Sequence, residues 1–175
     1  KCASGAIQFI KTAFNLPTHN YGSGSDAPNI DGQSMSERSM LSMLMGVSGS
    51  DILGGAGQLE SATAVSPLQL VVDNEVISMV RNVLKGLSFD DDNLAWETLI
   101  ETKPGDHFMT SQHTLRHCRD GFVPHNFIKL NREVWEDSGK KDLMNRVYAQ
   151  YNELITKENQ SLLSKDLCEE IDSIL

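Results

Sequence analysis

Cysteine is scarce in this chain: Cys2, Cys118 and Cys168 are spread over 175 residues with no CxxC spacing. That scarcity excludes a disulfide framework and a cysteine-rich zinc site, and it makes a reducing compartment, the cytoplasm, the expected location. Positive charge is also in short supply, since 15 Lys and Arg against 24 Asp and Glu leave a formal net charge of −9. So acidic a chain lacks the basic face that nucleic acid or an anionic lipid surface demands. Long hydrophobic runs are missing as well. The apolar stretch 77–87 is interrupted by Arg81, Asn82 and Lys85, so it is not fit to span a bilayer. There is no GxSxG elbow and no phosphate loop ending in Gly-Lys-Ser/Thr. Gly22-Ser23-Gly24-Ser25 lacks the third glycine of a dinucleotide fingerprint. What is present, 39% hydrophobic and 22% charged residues at the length of one ordinary domain, is the composition of a soluble globular protein. Lys1 is not a translation start, so a C-terminal piece of a longer protein, or a trimmed one, is expected.

Apolar residues at helical spacing (Ala6, Ile7, Ile10, Ala13, Phe14) predict a helix over 4–15, stopped by Pro17. A short strand over 16–21 then leads into a loop rich in Gly, Ser and Pro at 22–28. Ser34-Met35-Ser36-Glu37 has capping-box spacing and opens a second helix over 35–47. Its methionines (Met35, Met40, Met43, Met45) read as core filler, because the thioether adapts to irregular gaps. A second short strand over 51–55 runs into Gly57-Gln58-Leu59-Glu60-Ser61, repeating helix, strand and glycine-bearing loop. Two such units predict a parallel α/β sheet or barrel, with ligands gathering at the strand ends, the loops 22–31 and 55–61.

Ser66 as cap, Pro67 in the first turn and Gln69 completing the box start a helix that runs to Lys85 and stops at Gly86. Leu68, Val71, Val72, Ile77, Val80, Val83 and Leu84 form its expected buried stripe. Asp73, Glu75, Arg81 and Lys85 are expected to face water, with 73–75 free to meet a neighbouring subunit. Further on, Asp90-Asp91-Asp92 is expected to cap a helix over 92–100, and amphipathic helices are expected over 140–158 and 161–174.

Two groups of residues could carry chemistry. His107, His113, His117 and Cys118 cluster in sequence, and the four-residue spacing of His113 and His117 puts them on one helical face. Thr114 stands where the zinc-protease motif has glutamate, so a structural role is the expectation and no metal ligand is assigned. The second group is Tyr21, Asp26, Asp31 and Glu60 at expected strand ends. Carboxylates and an aromatic around a glycine-lined cavity suit a cationic ligand through Coulomb attraction and cation–π contact.

Several spaced blocks, in order, resemble the trimethylamine:corrinoid methyltransferase family. They are Gly22-Ser23-Gly24-Ser25-Asp26-Ala27 with Asp31, Gly55-Ala56-Gly57-Gln58-Leu59-Glu60-Ser61, and Leu70-Val71-Val72-Asp73-Asn74-Glu75. His107-Phe108 and His113-Thr114-Leu115-Arg116-His117 look like the family's C-terminal segment, and the likeness is clearest over 15–120. The resemblance implies the C-terminal part of a TIM (β/α)8 barrel, with its last βα units at 1–86 and a mainly helical extension at 87–175. It implies methyl transfer from a quaternary amine such as glycine betaine, or from a methylamine, to the cobalt(I) of a separate corrinoid protein, with no tightly bound cofactor of its own. The family's trimethylamine enzymes carry pyrrolysine where this chain has Gly24, which places it with the pyrrolysine-lacking, betaine-using branch. Gly24 would then make room for the substrate, Asp26 and Glu60 would set the cation field, and Tyr21 would offer a cation–π face. An isolated piece of a barrel leaves unpaired sheet edges, so association with itself is expected, and the fragment by itself is expected to be inactive. Two rivals remain at this point: a non-catalytic interaction module derived from a truncated barrel, and a small zinc protein built on the histidine cluster.

Overall fold

A computed structural model describes residues 1–157 and 163–174. Helix α1 (Cys2–Phe14) ends at Asn15, whose left-handed conformation lets its N–H return to the Lys11 carbonyl. Strand β1 (His19–Tyr21) pairs in parallel with β2 (Ile52–Gly54), His19 opposite Ile52 and Tyr21 opposite Gly54, and helix α2 (Gly32–Val47) makes the crossover between them. Asp51 clamps the entry to this pair, accepting from the Thr18 N–H at 2.7 Å and from Lys11 Nζ at 2.7 Å. The expected α–β–α–β order is therefore observed, as a mixed α/β unit.

Helix α2 starts a turn earlier than Ser34 predicts, because Asp31 is the cap and accepts from the Ser34 N–H at 3.0 Å. Freed from capping, Ser34 turns inward, accepting from Arg38 Nε at 2.9 Å and donating to Gln69 Oε1 at 3.2 Å. The inner face of α2 is thus Ser34, Arg38, Ser42, Met45 and Gly46, all buried. The methionines divide: Met45 fills core as expected, whereas Met40 is 69% exposed.

After β2 the chain forms a small antiparallel hairpin that the sequence did not announce, β3 (Gln58–Leu59) with β4 (Ala64–Val65). Its tip, Glu60, Ser61 and Ala62, has φ of 50°, 54° and 71°. Left-handed backbone costs an L-residue roughly 1–2 kcal/mol, so three in succession need outside support. Glu60 N–H donates to the Ala27 carbonyl at 3.1 Å and Ser61 N–H to that of Ser25 at 3.1 Å, pinning the tip to the loop after β1.

Helix α3 (Pro67–Leu84) begins at Ser66, as the sequence predicts, but Gln69 does not close a capping box. Its amide points inward and donates to Asp73 Oδ1 at 2.9 Å. Asp73 and Glu75, expected in water, are buried. Asp73 Oδ2 accepts from Arg38 at 2.6 Å and from the Gly57 N–H at 2.6 Å, so every neighbour aims a donor at an acceptor-only carboxylate. Burial pushes the Asp73 carboxyl above its ordinary 3.8, while Gly57, Arg38 and Gln69 pull the other way. Glu75 accepts from the backbone N–H of His125 and, at 3.0 Å, of Asn126. Asn126 Nδ2 reaches Gln150 Oε1 at 2.6 Å, which ties α8 (Leu143–Thr156) to α3 beside the buried Val76 and Val147. Helices α2 and α3 approach closely at Gly46, where a Cβ would stand 3.0 Å from both Val80 and Leu84 side chains. Val83 and Leu84, expected in the buried stripe, are exposed.

Beyond Gly86 the elements are short: α4 (Asp91–Leu94), α5 (Trp96–Glu101), α6 (Gln112–His117) and α7 (Arg132–Asp137). The expected helix 92–100 is two helices, because Asp90 rather than Asp92 caps α4 and Ala95 at φ 51° breaks the axis. Hydrogen bonds from Ser88 and Asn93 hold the Asp90 carboxyl down to about 2. The helices expected over 140–158 and 161–174 are α8 and α9 (Lys165–Asp172); positions 158–162 of those expectations lie outside the described residues. Among the described residues no helix is long and apolar enough to cross a membrane.

Removing one member of a buried ion pair strands the other, which costs about 3–5 kcal/mol. Asp73→Ala is expected to lose about that much in urea denaturation, and Arg38→Met a similar amount; a loss within ~1 kcal/mol would refute the central place of the pair.

Candidate functional site

A cavity of about 580 Å³ opens where the loop after β1, the hairpin tip and α2 meet. That volume lies within the range of small-molecule sites, about 300–1,000 Å³. The walls include Tyr21, Gly24, Ser25 and Asp26 from the loop, Glu37 and Leu41 from α2, and Gln58, Ser61 and Ala62 from the hairpin. Of the five residues expected at a site, Tyr21, Gly24 and Asp26 are therefore brought together. Glu60 belongs to the adjoining hairpin tip but does not line the cavity; its neighbour Ser61 does, donating to Asp26 Oδ1 at 2.6 Å. Asp31 serves as the α2 cap.

Tyr21 ends β1 with its side chain 64% exposed, and its ring stands 5.2 Å from that of His19. Gly54 permits this arrangement, since a Cβ there would meet His19 Nε2 at 2.5 Å. Gly55, at φ +88°, has room only for hydrogen: a Cβ would press on Gly24 N and Tyr21 Cδ1 at 3.2 Å. Gly24 is the opposite case. Nothing stands within 4 Å of the Cβ it lacks, so a side chain at this position has open space before it.

Glu37 reads from the sequence as a capping residue, three after Ser34. Its carboxylate instead accepts from Ser25 Oγ at 2.6 Å, the Asp26 N–H at 3.1 Å and Gln33 Nε2 at 2.9 Å. These bonds, from Ser25 first, hold its carboxyl below the ordinary value of 4.5. The signal available in the sequence was its position one turn before Leu41 on the α2 face that meets the glycine loop. The wall carries two carboxylates, Asp26 and Glu37, and among the described residues no Lys, Arg or His lines it. The nearby guanidinium of Arg38 is buried and committed to Asp73, to Ser34 Oγ and to the carbonyls of Ser23 and Gln58. The cavity is therefore negatively charged, with an aromatic face at its rim. Such a site attracts a compact organic cation.

The histidine cluster lies elsewhere. His113 and His117 stack on α6 with ring centroids 4.4 Å apart, and both face Asp92 at the start of α4. Hydrogen bonding to Asp120 chiefly, and to Asp92, raises the His117 pKa above 6.5. His107 and Cys118 are not drawn into this group; the Cys118 thiol donates to the Leu115 carbonyl at 3.5 Å.

The family model described as trimethylamine methyltransferase (MTTB) matches residues 5–174. The trimethylamine methyltransferase MttB of Methanosarcina barkeri (strain Fusaro) is 29% identical over 175 residues, covering 98% of this chain and 35% of that protein. The trimethylamine methyltransferase MttB of Methanosarcina thermophila is 32% identical over 143 residues, 80% of this chain and 29% of that protein. A glycine betaine methyltransferase of Desulfitobacterium hafniense is 26% identical over 144 residues, 81% of this chain and 30% of that protein. The chain thus spans about a third of the length of the curated relatives it matches.

The folded state holds Glu37 ionised more firmly than the unfolded chain does, so its support of the glycine loop is present above pH 4.5 and lost as pH falls through the lowered folded value. Protection factors of the 25–27 amides, corrected for the intrinsic pH dependence of exchange, are expected to fall on acidification and to be low already at neutral pH in Glu37→Gln. Protection in the variant equal to that of the native protein would refute the lock.

Proposed function

Because the chain belongs to the trimethylamine methyltransferase (MTTB) family, we propose that it is the C-terminal part of a (β/α)8-barrel enzyme that demethylates a quaternary amine of the betaine type. The last βα units would lie in 1–86 and the helical extension in 87–175, and the enzyme would work in the cytoplasm with a corrinoid protein as methyl acceptor. One observation carries the substrate class: Asp26 and Glu37 face the cavity with the Tyr21 ring, and among the described residues no cation on the wall offsets them. A quaternary ammonium has no proton to give, so it is recognised by charge and by aromatic surface rather than by a hydrogen bond. The observed parallel β1–α2–β2 unit, with the cavity at its strand ends, suits the ligand-binding face of such a barrel.

In this reading the chain's residues bind and orient. Asp26, fixed by Ser61, and Glu37, fixed by Ser25, set a negative field where the ammonium sits. The partner's corrinoid supplies the cobalt nucleophile that takes the methyl group, and the C–N electron pair departs with the tertiary amine. Because the substrate is already cationic, its leaving group is neutral and needs no activation by a covalent residue. Gly24 then acts by leaving space, which the open surroundings of its missing Cβ support. The chain's contribution is alignment and electrostatics.

The test uses the full-length protein with a reduced corrinoid protein and, separately, glycine betaine, proline betaine, carnitine and trimethylamine. The optical change on corrinoid methylation is expected with a betaine and not with trimethylamine. Silence across the panel with a competent corrinoid control would overturn the proposal. Gly24→Leu is expected to fold normally and abolish transfer, and Asp26→Asn to raise KM about tenfold with little change in kcat.

A further inference from the structure

We propose that Asp92, His113 and His117 form a zinc(II) site, with Asp120 as its outer-shell carboxylate and water completing the coordination. The ligand atoms of these three residues all lie within 4.8 Å of one another. They come from two separate segments, the first turn of α4 and the length of α6. His117 Nε2 is 3.1 Å from Asp92 Oδ2, already close to the ligand–ligand edge of a zinc tetrahedron, about 3.3 Å for metal–ligand bonds of about 2.0–2.1 Å.

The surroundings fit a metal. Asp120 Oδ2 stands 2.7 Å from His117 Nδ1, the carboxylate–imidazole contact that orients a ligating histidine and leaves its Nε2 lone pair free. Without a metal, His117 meets both carboxylates by donating from Nδ1 to Asp120 and from Nε2 to Asp92, and a zinc ion would take the place of the Nε2 proton between imidazole and carboxylate. His113 Nε2 donates to the Asp92 carbonyl at 2.6 Å and stands beside the same centre, so ligation requires that this hydrogen bond be given up and the proton carried on Nδ1. Arg116 lies 3.2 Å from the other carboxylate oxygen, Oδ1, which leaves Oδ2 for monodentate ligation. Two imidazoles and one carboxylate suit zinc better than calcium or magnesium, which prefer oxygen.

A second observation concerns the segment itself. From Arg81 to Val123 no residue is buried, although the segment contains three helices. A metal joining α4 to α6 would tie two of these short helices together. Cys118 and His107 are outside the set, which separates this site from a cysteine-containing zinc finger.

The test is zinc titration of EDTA-stripped, thiol-reduced protein by calorimetry, paired with cobalt(II) absorption. One equivalent is expected to bind with micromolar or tighter affinity, with the visible bands of four-coordinate cobalt, and to slow proteolysis between Ser88 and Asp120. His113→Gln and His117→Gln are each expected to lose at least about a hundredfold in affinity, and Asp120→Asn about 10–100-fold. Cys118→Ser and His107→Gln are expected to bind as the native protein does. Absence of cobalt bands, or zinc binding unchanged in a His113→Gln/His117→Gln double variant of native circular dichroism, would overturn the proposal.

Discussion

Arg38 and Asp73, fully buried on facing helices, hold the pieces of this structure at their common meeting point. A guanidinium taken out of water must have its donors met, and here they are met by a carboxylate from α3, a hydroxyl from α2 and two backbone carbonyls. Those carbonyls belong to Ser23, after β1, and to Gln58, in β3. The bonds therefore fix two loops relative to two helices, which apolar packing alone would not do with this directionality. The same bonds shape the cavity's charge. With Arg38 turned inward and spent, Asp26 and Glu37 stand on a wall that among the described residues holds no cation, so the polarity of the site follows from the polarity of the core.

A second polar junction, around Glu75, performs a similar task for the C-terminal half. Its carboxylate caps the amides of His125 and Asn126, and Asn126 passes the connection to Gln150 of α8. Arg146 closes the circuit on the Asn126 carbonyl at 2.8 Å. Together the two junctions make α3 the spine of the molecule: Asp73 and Glu75 lie two apart on it and reach opposite partners, while Val72, Val76 and Val80 bury the apolar surface between.

The helices and the parallel strands were legible from local signals, because periodicity, Pro17, Ser66-Pro67 and the glycine punctuation are all short-range. Tyr21, Gly24 and Asp26 were legible as neighbours for a related reason, since residues following a strand share one end of a sheet. The buried charges were not. Asp73 and Glu75 stand at positions that a solvated helical face would also fill, and their partners lie 35 and about 50 residues away in sequence. Ser34 and Gln69 misled for a different reason, because each has the side chain a cap needs and each is used instead to extend the Arg38 network. The left-handed tip at Glu60–Ala62 carries no glycine to announce it, being held by bonds from a distant loop. That tip turns Glu60 aside and brings Ser61 to the cavity, while Asp31 is drawn off as the α2 cap and Glu37 supplies the second wall carboxylate.

The vacant surroundings of Gly24 bear on how such a protein can diversify. At most cavity walls a new side chain must be accommodated by its neighbours, and a change of ligand is entangled with a change in folding. Here the first carbon of any replacement meets nothing, while Gly22 and Gly55 on either side are tightly confined. Room for a new side chain at this part of the cavity is thus offered at Gly24, while Gly22 and Gly55 beside it in space leave little. A lineage could exchange one ligand for another at that position without passing through a poorly folded ancestor.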